Sequence, residues 1–166
     1  MATSNDLLAR QYLQAVESLG PLEDVAAFYS PDVVFQEFPN RIAPQGRIRR
    51  AGDLSAAYQK GQQLLRSQTY AVQRIVEAGD EVAVELEWTG VLAIPVMNLA
   101  AGSEMKAFVA MFLTFRDGKI IFAAKLRLLS PIRSATRFQS SGVKPRYPPT
   151  DEPPAPTDEA EICGAD

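Results

Sequence analysis

At 166 residues, with 46% hydrophobic and 22% charged side chains, the chain has the make-up of a single soluble globular domain. A net charge of −3 argues against general nucleic-acid binding, and no apolar run reaches the ~18 residues needed to span a bilayer. The absence of histidine and the single cysteine, Cys163, exclude Ser-His-Asp and Cys-His nucleophiles, His-ligated metal centres and an internal disulfide.

The opening Met1-Ala-Thr-Ser-Asn-Asp has no basic region followed by an apolar core, so no secretory signal and a cytoplasmic location are expected. Leu8, Tyr12, Val16 and Leu19 recur at helical spacing and predict a first helix from about Asn5 to Leu19. Ser4, Asn5 or Asp6 can cap it, and Gly20 stops it. Pro21 opens a short second helix with Leu22, Val25, Ala26 and Tyr29 on one face. Ser30-Pro31-Asp32 reads as a turn, and Val33 to Phe38 as a strand ended by Pro39. Residues 40–52 read as a loop containing Arg41, Arg47, Arg49 and Arg50. By count these arginines resemble a phosphate cluster, but without a Gly-rich cradle or interleaved aromatics a solvated loop is expected. Asp53 can cap a third helix running to about Arg66. Strands are then predicted at 68–78, 81–94, 104–116 and 119–129, with turns at Gly79-Asp80 and Asp117-Gly118.

From Pro131 the composition changes. Seven of the twelve prolines lie in 131–166. Residues 133–147 hold four basic groups and no acids, and residues 151–166 hold six acids and no bases. Such a segment buries too little apolar surface to offset its ordering entropy. The expected organisation is therefore a domain over residues 1–132 and a disordered, Pro-rich tail over 133–166, with Cys163 an incidental thiol in it.

Two helices, a strand, a helix and four strands joined mostly by tight turns give an α+β fold. The expected form is a cone-shaped curved antiparallel sheet with three helices of the N-terminal half over its concave face. The open end of such a cone is a natural small-molecule pocket.

Three segments carry a family resemblance: Val33-Val-Phe-Gln-Glu-Phe-Pro-Asn40; Glu85-Leu-Glu-Trp-Thr-Gly90 with Leu92-Ala-Ile-Pro95; and Ala101-Gly102 through Ala110-Met-Phe-Leu-Thr-Phe-Arg-Asp-Gly-Lys-Ile120. In order and spacing, residues 5–131 resemble the SnoaL-like branch of the nuclear transport factor 2-like superfamily, which includes ketosteroid isomerases and polyketide cyclases. The resemblance implies a cystatin-like cone with an internal pocket, commonly a homodimer through the sheet. It also exposes a departure. Members often end the last strand with Asn-Tyr-Asp-Cys-aromatic-Asp-Pro, whereas this chain has Lys125-Leu-Arg-Leu-Leu-Ser-Pro131. The aspartate that acts as acid/base in cyclase relatives falls at Arg127, and the asparagine at Lys125. A guanidinium stays protonated and cannot take a proton from carbon, so isomerase or cyclase chemistry does not carry over residue by residue. A pocket that accepts anions fits the substitution better.

Period-two alternation on the last strand puts Ile120, Phe122, Ala124, Leu126 and Leu128 on one face and Ile121, Ala123, Lys125, Arg127 and Leu129 on the other. Either the two cations reach solvent or they meet an anion in a hollow. Counting from the Asp117-Gly118 turn sets Ala110 opposite Lys125 and Phe108 opposite Arg127, so that Phe108 and Phe112 share the cationic face. Glu37 is the best candidate acid or base, or else a structural ion pair. Glu37 and Arg127 are the candidate catalytic residues. Lys125, Phe35, Tyr58, Trp88, Phe108 and Phe112 are the candidate ligand contacts, with core or interface packing as the other reading of Trp88 and the tyrosines. No metal and no cofactor are expected. The expected ligand is a small hydrophobic molecule with an anionic or enolizable oxygen. The rival reading is a non-catalytic interaction module that dimerises through its apolar sheet face.

Overall fold

The computed structural model describes residues 4–96 and 98–130, all within a compact unit, Met1–Ser134. The expected tail over 133–166, with its boundary, lies outside the described residues. Helices α1 (Asn5–Glu17), α2 (Leu22–Ala26) and α3 (Ala51–Leu64) accompany strands β1 (Tyr29–Glu37), β2 (Arg47–Arg49), β3 (Leu65–Ala78), β4 (Glu81–Leu92), β5 (Glu104–Arg116) and β6 (Lys119–Leu129). The strands form one curved six-stranded sheet in the order β2-β1-β6-β5-β4-β3. The meander from β3 to β6 is antiparallel, and β1 joins β6 in parallel. A parallel partner is possible because α3 and the meander separate β1 from β6 in sequence.

Helices α1 and α3 cover one face, the inner one, α1 lying over β3 and β4 and α3 over β1 and β3, while α2 packs against both helices. Ala9, Tyr12 and Leu13 of α1, Val25 of α2 and Leu54 of α3 are buried against Val82, Val84, Leu86, Leu113, Phe115 and Ile120 of the sheet. Each large apolar side chain removed from water there contributes about 1.5–3 kcal/mol. This burial supplies most of the stability of helices too short to persist alone.

Four local expectations are corrected. The N-terminus of α1 is not capped by its own residues. Glu77 of β3 accepts hydrogen bonds from Ser4 Oγ (2.7 Å) and from the backbone N–H groups of Asn5 and Asp6 (both 3.1 Å). A carboxylate satisfies orphan donors there as well as a cap residue does. The Ser30-Pro31-Asp32 turn is instead part of β1, as an irregular stretch between Tyr29 and Val34, and Tyr29 belongs to that strand rather than to α2. The loop at 40–52 contains β2, which pairs Arg47 with Glu37 and Arg49 with Phe35. Gly46 (φ 66°) lets it close on β1, because a Cβ there would meet Glu37 O at 2.7 Å.

The fourth correction sets the site. The Asp117-Gly118 turn is present with φ 52° and 71°, both left-handed as a two-residue hairpin requires. Beyond it, however, Phe115 pairs with Ile120 and Thr114 with Phe122, leaving Ile121 as a bulge. The bulge shifts the register by one residue. Lys125 lies opposite Met111, not Ala110, and Arg127 opposite Val109, not Phe108. Phe108 and Phe112 therefore point to the outer face, opposite to the cations. They are exposed there with Phe122, Leu126 and Leu128.

Candidate functional site

The bulge has a second effect: it lets β6 bury Ile120 and Ala123 and then Lys125 on the same inner side. Lys125 is only 8% exposed. Its Cα partner in β1 is Glu37, 6% exposed. Arg127, two residues along, lies with its Cζ 5.5 Å from the centroid of the Trp88 ring, a cation–π contact. The Trp88 ring is held in turn. Its Nε1 donates to Gln68 Oε1 (2.9 Å), Gln68 Nε2 donates to Val16 O (2.6 Å), and Gly90 leaves room because a Cβ there would overlap the indole.

Glu37 is already engaged. Arg49 Nη1 donates to its Oε2 at 3.2 Å, and Asn40 Nδ2 donates to its Oε1 at 3.2 Å. Asn40 is placed by its own turn, where its Oδ1 accepts from the N–H groups of Ile42 (2.9 Å) and Ala43 (3.1 Å). Burial by itself would raise the Glu37 pKa. Arg127, Lys125 and Arg49, together with the Asn40 hydrogen bond, outweigh burial and hold the carboxyl below its usual range. Lys125 shifts the other way for an amine. Burial first, then the neighbouring Arg127 and Arg49, push its pKa well below the usual lysine value, against the pull of Glu37. Among the described residues no carboxylate lies within 4.0 Å of Lys125 Nζ, and the buried Arg127 Nε has no hydrogen-bond partner. One carboxylate thus faces three basic groups.

Of the expected site residues, the structure brings together Glu37, Lys125, Arg127 and Trp88, with Phe35 in the adjoining row, paired to Ala123 and Arg49. Tyr58 packs on the core while its hydroxyl donates to Gly20 O (3.0 Å), and Phe108 and Phe112 lie on the other face. Sequence reasoning noticed Arg49 but left it in a solvated loop, and missed Asn40 and Tyr70. Arg47-Ile48-Arg49 does alternate, but three residues are too few to distinguish a strand. Tyr70 pairs with Trp88 across β3 and β4, and burial pushes its hydroxyl up to about 12, with Arg127 pulling the other way. Its alternation with Gln68 and Val72 was the available signal. Solvent reaches the cluster at its margin through Arg49, whose side chain is 19% exposed. A separate open depression of about 550 Å³ between α1 and α2, lined by residues such as Gln11, Gln14, Glu23 and Phe28, contains none of these groups.

The arrangement can do two things chemically. It can fix an oxyanion or carboxylate against a permanent guanidinium backed by an aromatic ring. It also presents a shielded amine. Proton abstraction by Glu37 is disfavoured, since a carboxylate stabilised by three neighbours is a weak base.

The family described as SnoaL-like domain matches residues 9–123 of the chain. Among solved structures, IdmH, a proposed polyketide cyclase from Streptomyces antibioticus, is similar with 24% identity and a TM-score of 0.64 over 75% of this chain and 92% of that one. AclR, a proposed hydroxylase from Streptomyces galilaeus, is similar with 18% identity and a TM-score of 0.63, covering 76% and 79%. An epoxide hydrolase of the LEH-like type from M. tuberculosis has 14% identity and a TM-score of 0.58, covering 73% and 80%. No curated protein matches the chain. At these identities the structures establish the shared fold.

Proposed function

The chain belongs to the SnoaL-like domain family, and from that premise we propose that it binds a small apolar molecule carrying an anionic or enolizable oxygen on the inner face of its sheet. The observation that carries this reading is the charge imbalance around Glu37, with Arg127 Nε buried and without a partner among the described residues. A buried donor left unanswered costs about 1–3 kcal/mol, more when charged, and a ligand oxygen would relieve that cost. Phe35 and Trp88 supply apolar walls beside it. For turnover, isomerase- or cyclase-type chemistry is the fitting class, with Arg127 polarising the developing enolate oxygen and Glu37, a weak base, the one carboxylate of the cluster.

Thermal-shift measurements with hydrophobic carboxylates and enols test this. A binding ligand raises the melting point of the wild-type protein, and Arg127→Ala abolishes the rise. A rise of equal size in Arg127→Ala would overturn the assignment.

A second feature supports a homodimer. Phe108 is 58% exposed and Leu128 72% exposed, directly paired on the outer face beside Phe112, Phe122 and Leu126. Such a contiguous apolar patch fits coverage by a second copy of the sheet. Sedimentation of the wild type as a dimer at micromolar concentration, and of Leu128→Lys as a monomer, is the expected result. A wild-type monomer would reject it. Among the described residues no helix is long and apolar enough to cross a membrane, and the cytoplasm is the proposed location.

A further inference from the structure

Lys125 is poorly explained as one more anion hook. A surface lysine keeps its ammonium in water, and a buried one normally has a carboxylate of its own. Here the nearest candidate, Glu37, is claimed by Arg49 and Asn40, and no other carboxylate is within 4.0 Å among the described residues. The charged groups facing Lys125 are Glu37 of β1, Arg49 of β2 and Arg127 of its own strand. Two permanent guanidinium ions against one carboxylate leave no electrostatic need for a third cation. A shielded amine in such a setting is a nucleophile, as desolvated lysines beside another cationic group are.

We propose that the Lys125 amine captures a carbonyl compound as an imine, while Arg127 holds a carboxylate on the same molecule. The ligand class is a 2-oxo or 3-oxo acid. Residues two apart on a strand share a face with their Cα atoms about 6.5 Å apart, a spacing that suits a carbonyl and a carboxylate on one small molecule. In the step, the Nζ lone pair forms a bond to the carbonyl carbon and the C=O π pair moves to oxygen. Two protons move from nitrogen to that oxygen, which leaves as water, and the C=N bond forms. Atoms and electrons balance without an oxidant or reductant. The burial of Lys125 and its lowered pKa both favour the free amine over the ammonium. This inference rests on the inner face being the ligand site, and it gives that site a substrate class.

The test uses the full chain with acetoacetate or pyruvate as probe and sodium borohydride to reduce the imine, read by intact mass and peptide mapping. The expected result is one reduced adduct, located at Lys125, and absent from Lys125→Met and Lys125→Arg. Arg127→Gln should lower the yield at least tenfold at limiting probe, and restore part of it with a carbonyl compound lacking a carboxylate. An adduct spread over Lys60, Lys106 and Lys119, undiminished in Lys125→Met, overturns the proposal. So does an absence of adduct. Melting shifts with hexanoate, which has no carbonyl to trap, separate the two failures. A shift without an adduct rejects the imine and keeps the anion site, whereas neither shift nor adduct rejects both.

Discussion

The inner face of β5 and β6 has two ends, and they behave oppositely. Toward the hairpin turn, Leu113, Phe115 and Ile120 are at most 2% exposed and pack among apolar neighbours of the core. A few residues along the same strands, Lys125 and Arg127 occupy equivalent inward positions beside Glu37 and Arg49. Strand geometry does not distinguish these ends. The difference lies in which side chains the sequence delivers to a common face, after one bulge sets the register. The sealed end resembles an ordinary core, where every group is satisfied by packing. The charged end keeps groups that cannot satisfy each other, and local consistency fails most often at functional sites.

The largest effect that would break this comparison belongs to the sealed end. Phe115→Ala should destabilise the fold by about 3–5 kcal/mol through lost transfer energy and a residual cavity. Denaturant unfolding measures it as a lower midpoint at unchanged slope. Arg127→Ala, by contrast, should change stability by no more than ~1 kcal/mol while abolishing the ligand-induced melting shift. Equal stability losses from the two variants would mean that the charged end is as much a structural core as the sealed one.

Removing the single carboxylate of the charged end comes next. Glu37→Ala leaves the Arg49 and Arg127 guanidinium groups without a counter-ion and should cost about 3 kcal/mol. The pH dependence has a definite sign. The folded Glu37 pKa lies below its unfolded value of roughly 4.3, so its stabilisation is complete above that value and fades as pH falls through the folded pKa. Wild type should therefore lose stability more steeply than Glu37→Gln below about pH 4.3. Parallel acid profiles would show that the basic neighbours of Glu37, Arg127 first among them, give its carboxylate no energetic weight.

Lys125→Met should act in the opposite direction and more weakly, stabilising the protein at neutral pH by roughly 1–2 kcal/mol, because an apolar chain of similar volume replaces a buried amine. With its folded pKa depressed, the unfolded chain binds more protons between that value and about 10.4. Wild-type stability should then rise with pH across this window, and the rise should vanish in Lys125→Met. Melting curves from pH 7 to 10 on both proteins would expose a wrong assignment as identical slopes.

How much of this was legible beforehand depends on the kind of signal. The helices, the four-strand meander and the hairpin at Asp117-Gly118 follow from periodicity and turn chemistry, which are local. That Lys125 and Arg127 share a face followed as well, since they are two residues apart. What failed was the cross-strand partner. A bulge at Ile121 has no local signature, because Ile is an ordinary strand residue, yet it moved Phe108 and Phe112 to the far face. Arg49 failed for a related reason. Its role depends on a three-residue strand finding β1 across the turn built by Asn40 and Gly46, a non-local event. The Glu37–Lys125 adjacency is likewise a parallel pairing across more than eighty residues of chain, invisible to any window.

The smallest expected effect is the most discriminating control. Arg74 and Glu85 also pair across strands, at 3.7 Å, but on the outer face with side chains 73% and 60% exposed. There water screens both charges, and holding two long side chains together offsets much of the Coulomb attraction. Arg74→Ala should change stability by less than ~0.5 kcal/mol and leave ligand-induced melting shifts untouched. The same chemical deletion, a guanidinium removed from beside a glutamate, should at Arg49 lower stability by several times more, since the partner left behind is the buried Glu37. Measuring Arg74→Ala and Arg49→Ala side by side holds the chemistry fixed and varies only the face of the sheet. If the two cost the same, burial is not what distinguishes the charged cluster, and the polar end of the inner face is no more a site than any exposed ion pair.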